Sequence, residues 1–167
     1  MPVVYEGRVF SVEVALRKFP DGREHEVAVV RHRPSVVIIP MKDDAHVILI
    51  HQYRPAIDRE LWEVPAGTLN PGEAADSAVA RECEEEIALV PGRIERIRGL
   101  LPAPGFCDEE LIFYRVWDLR PPPPDSPHKP DEDEIIRSEI FTIAEAKAMA
   151  ARGDIIDLKT AYGLTLI

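Results

Sequence analysis

Apolar and polar residues alternate from Arg8 to Arg17 and again from Glu24 to Arg31, with the turn formers Phe19-Pro20-Asp21-Gly22 between them. A period of two on either side of a turn predicts a β-hairpin. Ser35 to Met41 (SVVIIPM) is instead a β-branched run. It predicts a strand buried on both faces, followed by a turn at Lys42-Asp43-Asp44 and a returning strand from His46 to Gln52. Leu61 to Val64, Arg93 to Leu101 and Leu111 to Leu119 read as further strands, and another begins at Ile135-Ile136.

The period lengthens between Ala74 and Leu89. At about 3.6 residues per turn, Val79, Cys83 and Ile87 form an apolar stripe on one side of a helix, while Glu82, Glu85 and Glu86 gather on another. Pro91-Gly92 is expected to close this helix. Thr142-Ile143-Ala144-Glu145 is a capping box opening a helix to about Arg152, with Gly153 as its stop, and a short last helix is expected near Asp157. Arg120 to Pro130 (RPPPPDSPHKP) is too proline-dense for a hydrogen-bonded ladder and reads as a long exposed loop. Periodicity alone gives a mixed α/β protein. With no internal repeat, residues 1–167 read as a single domain in which residues 1–31 form an N-terminal β extension.

Composition narrows the partners. The chain has 167 residues, 46% of them hydrophobic, and a formal charge of −10. One domain of this size buries roughly 70% of its unfolded surface. The negative charge argues against nucleic acid and anionic membranes, whose phosphates it repels. Cys83 and Cys107 have neither metal spacing nor a disulfide framework, there is no secretory leader pattern at Met1 to Glu6, and no apolar run reaches membrane-spanning length. A soluble protein of the reducing cytoplasm is expected. His25, His32, His46, His51 and His128 have no zinc spacing, and no P-loop, nucleophile elbow or dinucleotide fingerprint occurs.

The acidic helix face carries the chemistry. Like charges at i, i+4 are unfavourable in an isolated helix unless cations neutralise them. A solvated acidic face is the plain alternative. Oxygen-only ligation suits Mg²⁺ or Mn²⁺ rather than zinc, and Mg²⁺ usually binds through one or two carboxylates, waters and substrate phosphates. A phosphate-bearing substrate follows. Pro65-Ala66-Gly67 and Pro71-Gly72 before the helix suggest a bent loop whose carbonyls can approach a metal, with Glu73 at the helix entrance.

Gly67, Glu73, Arg81, Glu82, Cys83, Glu85, Glu86 and Leu89 stand at the spacings of a long motif, and the segment resembles the Nudix box. Ala88 stands where that family usually has Gly; a left-handed backbone there would cost Ala roughly 1 kcal/mol. The resemblance implies the Nudix αβα sandwich with a mixed sheet, here preceded by the N-terminal β-hairpin. It also implies Mg²⁺-dependent hydrolysis of a nucleoside diphosphate derivative. Glu82 and Glu86 would be the principal metal ligands, Glu85 would bind or share the metals, and the Ala66 carbonyl would add a neutral ligand. Arg81 would hold the carboxylates, and Gly67 and Glu73 would be structural.

Gln52-Tyr53-Arg54, Leu61 to Gly67, Pro102 to Glu109 and Gly153 to Thr160 are similar to the ADP-ribose pyrophosphatase branch. That similarity implies ADP-ribose as substrate, giving AMP and ribose 5-phosphate, with hydrolysis of another nucleotide sugar such as GDP-mannose, or non-catalytic nucleotide-sugar sensing, as alternatives. Arg54 would contact the diphosphate. Glu109 is either a ribose contact or a cap on the following strand. The branch's loop Glu that orients or deprotonates water falls on Glu134 first and Glu132 second. Trp62 is expected in the core, whereas Tyr5 is as readily a base-stacking residue. A homodimer is implied by the resemblance alone.

Overall fold

The alternation at the N-terminus produces strands, but three rather than the two of a hairpin. In the computed structural model, which describes residues 2–128 and 136–167, β1 (Val3–Glu6), β2 (Phe10–Lys18) and β3 (Glu24–His32) form an antiparallel sheet in the order β1-β2-β3. β1 adds to β2 through Tyr5↔Val12 and Glu6↔Ser11, a short pairing that no residue pattern in Val3 to Glu6 signals. The sheet is latched to the remainder of the protein at β3, where Arg31 Nη1 donates to Asp108 Oδ2 at 2.7 Å and His32 N donates to Asp108 Oδ1 at 2.9 Å.

The main sheet is built around β4 (Ser35–Asp43). It has seven strands, with β5 (His46–Arg54), β6 (Arg59–Glu63), β7 (Ala66–Thr68), β8 (Arg93–Leu100), β9 (Leu111–Trp117) and β10 (Ile136–Thr142). The path runs β10-β5-β4-β9-β8, with β6 beside β5 and β7 beside β4. β4 and β9 run parallel, in register from Ser35↔Leu111 to Pro40↔Val116, and the other pairings are antiparallel.

The continuous apolar run of β4 is buried on both faces because each face meets helices. Val36 and Ile38 pack with Val79, Cys83 and Ile87 of α1 (Ala75–Ile87). Val37, Ile39 and Met41 point the other way, toward Ala146 and Met149 of α2 (Ile143–Arg152) and the C-terminal Leu164, which follows α3 (Leu158–Gly163). The layers are an αβα sandwich with a mixed sheet. Fully burying one such aliphatic side chain contributes about 1.5–3 kcal/mol, so both cores depend on the period-two alternation of β4.

Thr142 caps α2 by accepting from Glu145 N at 3.1 Å, and Gly153 ends it in the left-handed region. α1 stops earlier than Pro91-Gly92 suggested. Ala88 takes the left-handed conformation (φ 54°, ψ 36°), with Ala88 N donating to Glu84 O and Leu89 N to Cys83 O. The conformation in question at Ala88 is therefore adopted, without glycine. Trp62 is half-buried against the second core, edge-on to Phe141 at 4.9 Å between centroids, while Tyr5 is exposed and tilted against Phe10. Among the described residues no helix is long and apolar enough to cross a membrane.

Candidate active site

The segment expected as a bent loop before α1 is held flat by the central strand. Ala66, Gly67 and Thr68 form β7 against Val37, Val36 and Ser35, Ile38 N donates to the Pro65 carbonyl, and Leu69 N to the Pro34 carbonyl. These bonds bring the Ala66-Gly67 backbone against the acidic face of α1. Ala66 N donates to Glu86 Oε2 at 3.1 Å, and a Cβ built on Gly67 would overlap the Glu82 carboxylate. Glycine is required here for close approach; its backbone is not left-handed.

Arg81 organises the acids. Its Nε and Nη2 donate to Glu73 at 2.9 and 3.0 Å, and its Nη1 donates to Glu82 Oε1 at 2.6 Å and Glu85 Oε2 at 2.8 Å. Glu73 also accepts from Asn70 N at 2.8 Å, which ties loop to helix. The guanidinium beside it holds the Glu73 carboxyl below the ordinary carboxylate range, and the same contacts raise Arg81. Glu82 and Glu86 are buried, and Glu85 is half-buried. Arg81 thus bonds three of the four carboxylates, Glu73, Glu82 and Glu85, while Glu86 accepts from the Ala66 backbone.

The donor set fits a hard divalent ion: carboxylate oxygens with backbone oxygens nearby. Among the described residues no three acidic, histidine or cysteine side chains converge on a ready-made metal cage. That spread suits Mg²⁺, which takes one or two carboxylates and completes its shell from water and substrate phosphate.

Beside Ala66 and Gly67 opens a cavity of about 380 Å³, lined also by Thr68, Arg54, Glu109, Asp157 and Lys159. A larger cleft of about 570 Å³ lies between the N-terminal sheet and Asn70-Pro71, lined by Arg8, Phe10, Arg31 and Arg33 among others. The smaller one meets the Ala66-Gly67 backbone that lies against the acidic face of α1. Arg54 reaches it from the end of β5, and Glu109 from the loop before β9, where Glu109 Oε1 accepts from Ser35 Oγ at 2.8 Å and lies 3.4 Å from His32 Nδ1.

Glu63 and Lys159 had no role assigned from the residues. Glu63 is 1% exposed and accepts from Arg54 through both oxygens at 2.7 Å; Lys159 Nζ donates to Glu63 Oε2. Burial by itself would push the Glu63 carboxyl up, but Arg54 and Lys159 outweigh it and hold it below the ordinary range. The available signal was Glu63 sharing the inward parity of Leu61 along β6. Its partner Lys159 stands 96 residues away and is brought in only by folding. His128, at the end of the proline-rich loop, lies 3.8 Å from Glu85. Glu134 and Glu132 lie outside the described residues.

The sandwich thus presses the acidic face of α1 onto a glycine-containing strand, beside a cavity lined by Arg54 and Lys159. The family model described as the NUDIX domain matches residues 31–159, and the chain belongs to the Nudix hydrolase family. It is 27% identical to the ADP-ribose pyrophosphatase of Bacillus subtilis (strain 168), over 96% of this chain and 86% of that one. It is 32% identical to the ADP-ribose pyrophosphatase of Mycobacterium tuberculosis, over 92% of this chain and 74% of that one. The crystal structure of an ADP compounds hydrolase superposes with a TM-score of 0.84 at 24% identity, covering 99% of this chain and 88% of the other, which shows the shared fold.

Proposed function

We propose that the protein hydrolyses the diphosphate of ADP-ribose, releasing AMP and ribose 5-phosphate. The observation that carries this is the junction of two features at Ala66-Gly67: the Glu82 and Glu86 carboxylates on one side, and the cavity holding Arg54 and Lys159 on the other. A diphosphate has the charge for both. Two relatives named ADP-ribose pyrophosphatases, each matched over most of this chain, support adenosine and ribose as the flanking groups.

In this mechanism Glu82 and Glu86 hold Mg²⁺, for which Mn²⁺ can substitute, with Glu85 and the Ala66 carbonyl contributing. The bound ion supplies charge neutralisation for the diphosphate and acidifies water. Arg81 keeps Glu82 and Glu85 in place; groups that orient metal ligands are typically worth about 10–100-fold in affinity or activity. Arg54 donates to a phosphate oxygen from the cavity wall, Glu109 accepts from a ribose hydroxyl, and Glu134, with Glu132 second, takes the proton of the attacking water.

Residues 1–31 serve as an extension for self-association in a homodimer. No residue of the N-terminal sheet is fully buried, and Val3, Val4, Tyr5, Phe10 and Leu16 on it are each exposed. Cys83 and Cys107 are both free thiols, which suits the cytoplasm.

The test is AMP release from ADP-ribose in Mg²⁺, then in excess EDTA, with GDP-mannose and other nucleotide sugars in parallel. Fast Mg²⁺-dependent release of AMP is expected. Turnover of another nucleotide sugar alone would move the substrate. Tight ADP-ribose binding without turnover would make the protein a sensor.

A further inference from the structure

Glu63 ends β6 as a buried carboxylate with several donors. Arg54 engages it side-on, Nε to Oε1 and Nη2 to Oε2, both at 2.7 Å, while Lys159 shares Oε2. Lys159 Nζ also lies 3.0 Å from Asp157 Oδ2, and Asp157 caps α3 by accepting from Thr160 N at 2.9 Å. Thr160 Oγ1 in turn accepts from Val64 N at 2.8 Å, next to the Pro65-Ala66 turn. One carboxylate thus joins β6, the end of β5 and the start of α3.

The two cations are not equivalent. Lys159 has two carboxylate partners and is largely covered; the Arg54 side chain is 37% exposed. Among the described residues the Arg54 Nη1 group makes no hydrogen bond, and Arg54 lines the cavity beside Ala66 and Gly67. A guanidinium locked along its Nε–Nη2 edge has lost its rotamer freedom before any ligand arrives, and binding through the remaining edge then costs less ordering entropy.

We infer that Glu63 and Lys159 are a positioning pair for Arg54, fixing its guanidinium so that Nη1 is presented to a phosphate group of the substrate. The inference rests on the proposed diphosphate site. Glu63 supplies the geometry. Lys159 supplies the balance: it takes up part of the buried negative charge, so Arg54 is not the sole counter-ion of Glu63 and keeps attraction for an incoming phosphate. If Lys159 served only to staple α3 to β6, its loss would lower thermal stability and leave ligand binding alone.

The experiment uses Glu63→Gln, Lys159→Met and Lys159→Arg in the full chain. KM and kcat are measured in Mg²⁺ with ADP-ribose, or with whichever nucleotide sugar the wild type hydrolyses. Calorimetric binding of ADP in EDTA is measured alongside, and melting temperature is recorded for each variant. Both Glu63→Gln and Lys159→Met are expected to raise KM and the Kd for ADP by about tenfold with kcat within about threefold, the signature of lost uniform binding. Lys159→Arg is expected to restore both. Unchanged KM and Kd in Glu63→Gln and Lys159→Met, whatever happens to melting temperature, overturn the inference, as does a fall in kcat alone. Should Lys159→Met not fold, Glu63→Gln, near-isosteric with the wild type, decides by the same criteria. A wild type inactive on every substrate defeats the proposed function instead, and the ADP titrations still decide the positioning pair.

Discussion

Gly67 and Glu82 approach so closely that no side chain fits between the β7 backbone and the carboxylate. Because Glu82 is also held by Arg81 at 2.6 Å, a methyl group on Gly67 displaces a hydrogen-bonded, buried acid rather than a free chain end. Gly67→Ala is expected to keep the fold, since this glycine has no left-handed backbone to lose, and to lower turnover by about 10–100-fold as the proposed ligand moves. Circular dichroism with steady-state kinetics checks both halves. Wild-type turnover would show that Glu82 has no metal to hold.

Glu86 accepts a backbone hydrogen bond from Ala66, which an amide oxygen can also accept. Glu86→Gln should therefore melt close to wild type while losing most Mg²⁺-dependent turnover. Activity at the wild-type level in this variant would remove Glu86 from the proposed ligand set.

Ala88 ends α1 in a conformation that glycine adopts without Cβ strain. Ala88→Gly is expected to stabilise the protein by about 0.5–1 kcal/mol, roughly 1–4 °C in melting temperature for a chain of this size. A lower melting temperature would mean that the glycine's extra freedom in the unfolded chain outweighs the relieved strain.

The Glu63 carboxyl is depressed in the folded protein by Arg54 and Lys159 despite its burial. The sign follows from proton linkage: the unfolded chain takes up the proton first as pH falls. The stabilisation is thus complete above the ordinary glutamate range, near about pH 4.3, and is lost as pH drops through the lower folded value. Melting curves between neutral pH and pH 3 should show a steeper acid limb for wild type than for Glu63→Gln. Parallel limbs would mean that Glu63 carries no such linkage.

Cys83 is buried beneath the acidic face, and burial together with Glu86 and Glu82 raises its thiol well above the ordinary range. Cys107 is half-buried. A native thiol titration should modify Cys107 while Cys83 stays protected until denaturant is added. Cys83→Ala should lower stability by about 1–2 kcal/mol with little effect on catalysis, because it removes core contacts and no donor to the site. A selective loss of turnover at unchanged melting temperature would contradict that role.

Where local pattern and tertiary burial agree, the fold was legible in the residues. Val79, Cys83 and Ile87 face the core as their spacing requires, and Thr142 and Gly153 bound α2 where the capping box and stop signal put them. The Ser35 to Met41 run is buried throughout. The acidic side of α1 was legible for the same reason, since helical spacing alone decides that Glu82, Glu85 and Glu86 lie near one another. β1 was not, because a four-residue exposed strand has no buried face to leave a period. Nor was β7, whose Ala-Gly-Thr sequence becomes a strand only by pairing with β4.

The residues by themselves determined the helix, its two faces, the strand alternation and the family motif, all set by interactions within a few positions along the chain. Only the tertiary structure decided that β4 pairs parallel with β9, that Ala66-Gly67 is pressed onto Glu82 and Glu86, and that Glu63 gathers Arg54 and Lys159 around one buried carboxylate. Such contacts join residues from 9 to 96 positions apart, beyond the reach of one turn or one strand alternation. A charged residue carries no mark of its partner until burial removes water as the alternative, and that removal is a property of the assembled layers.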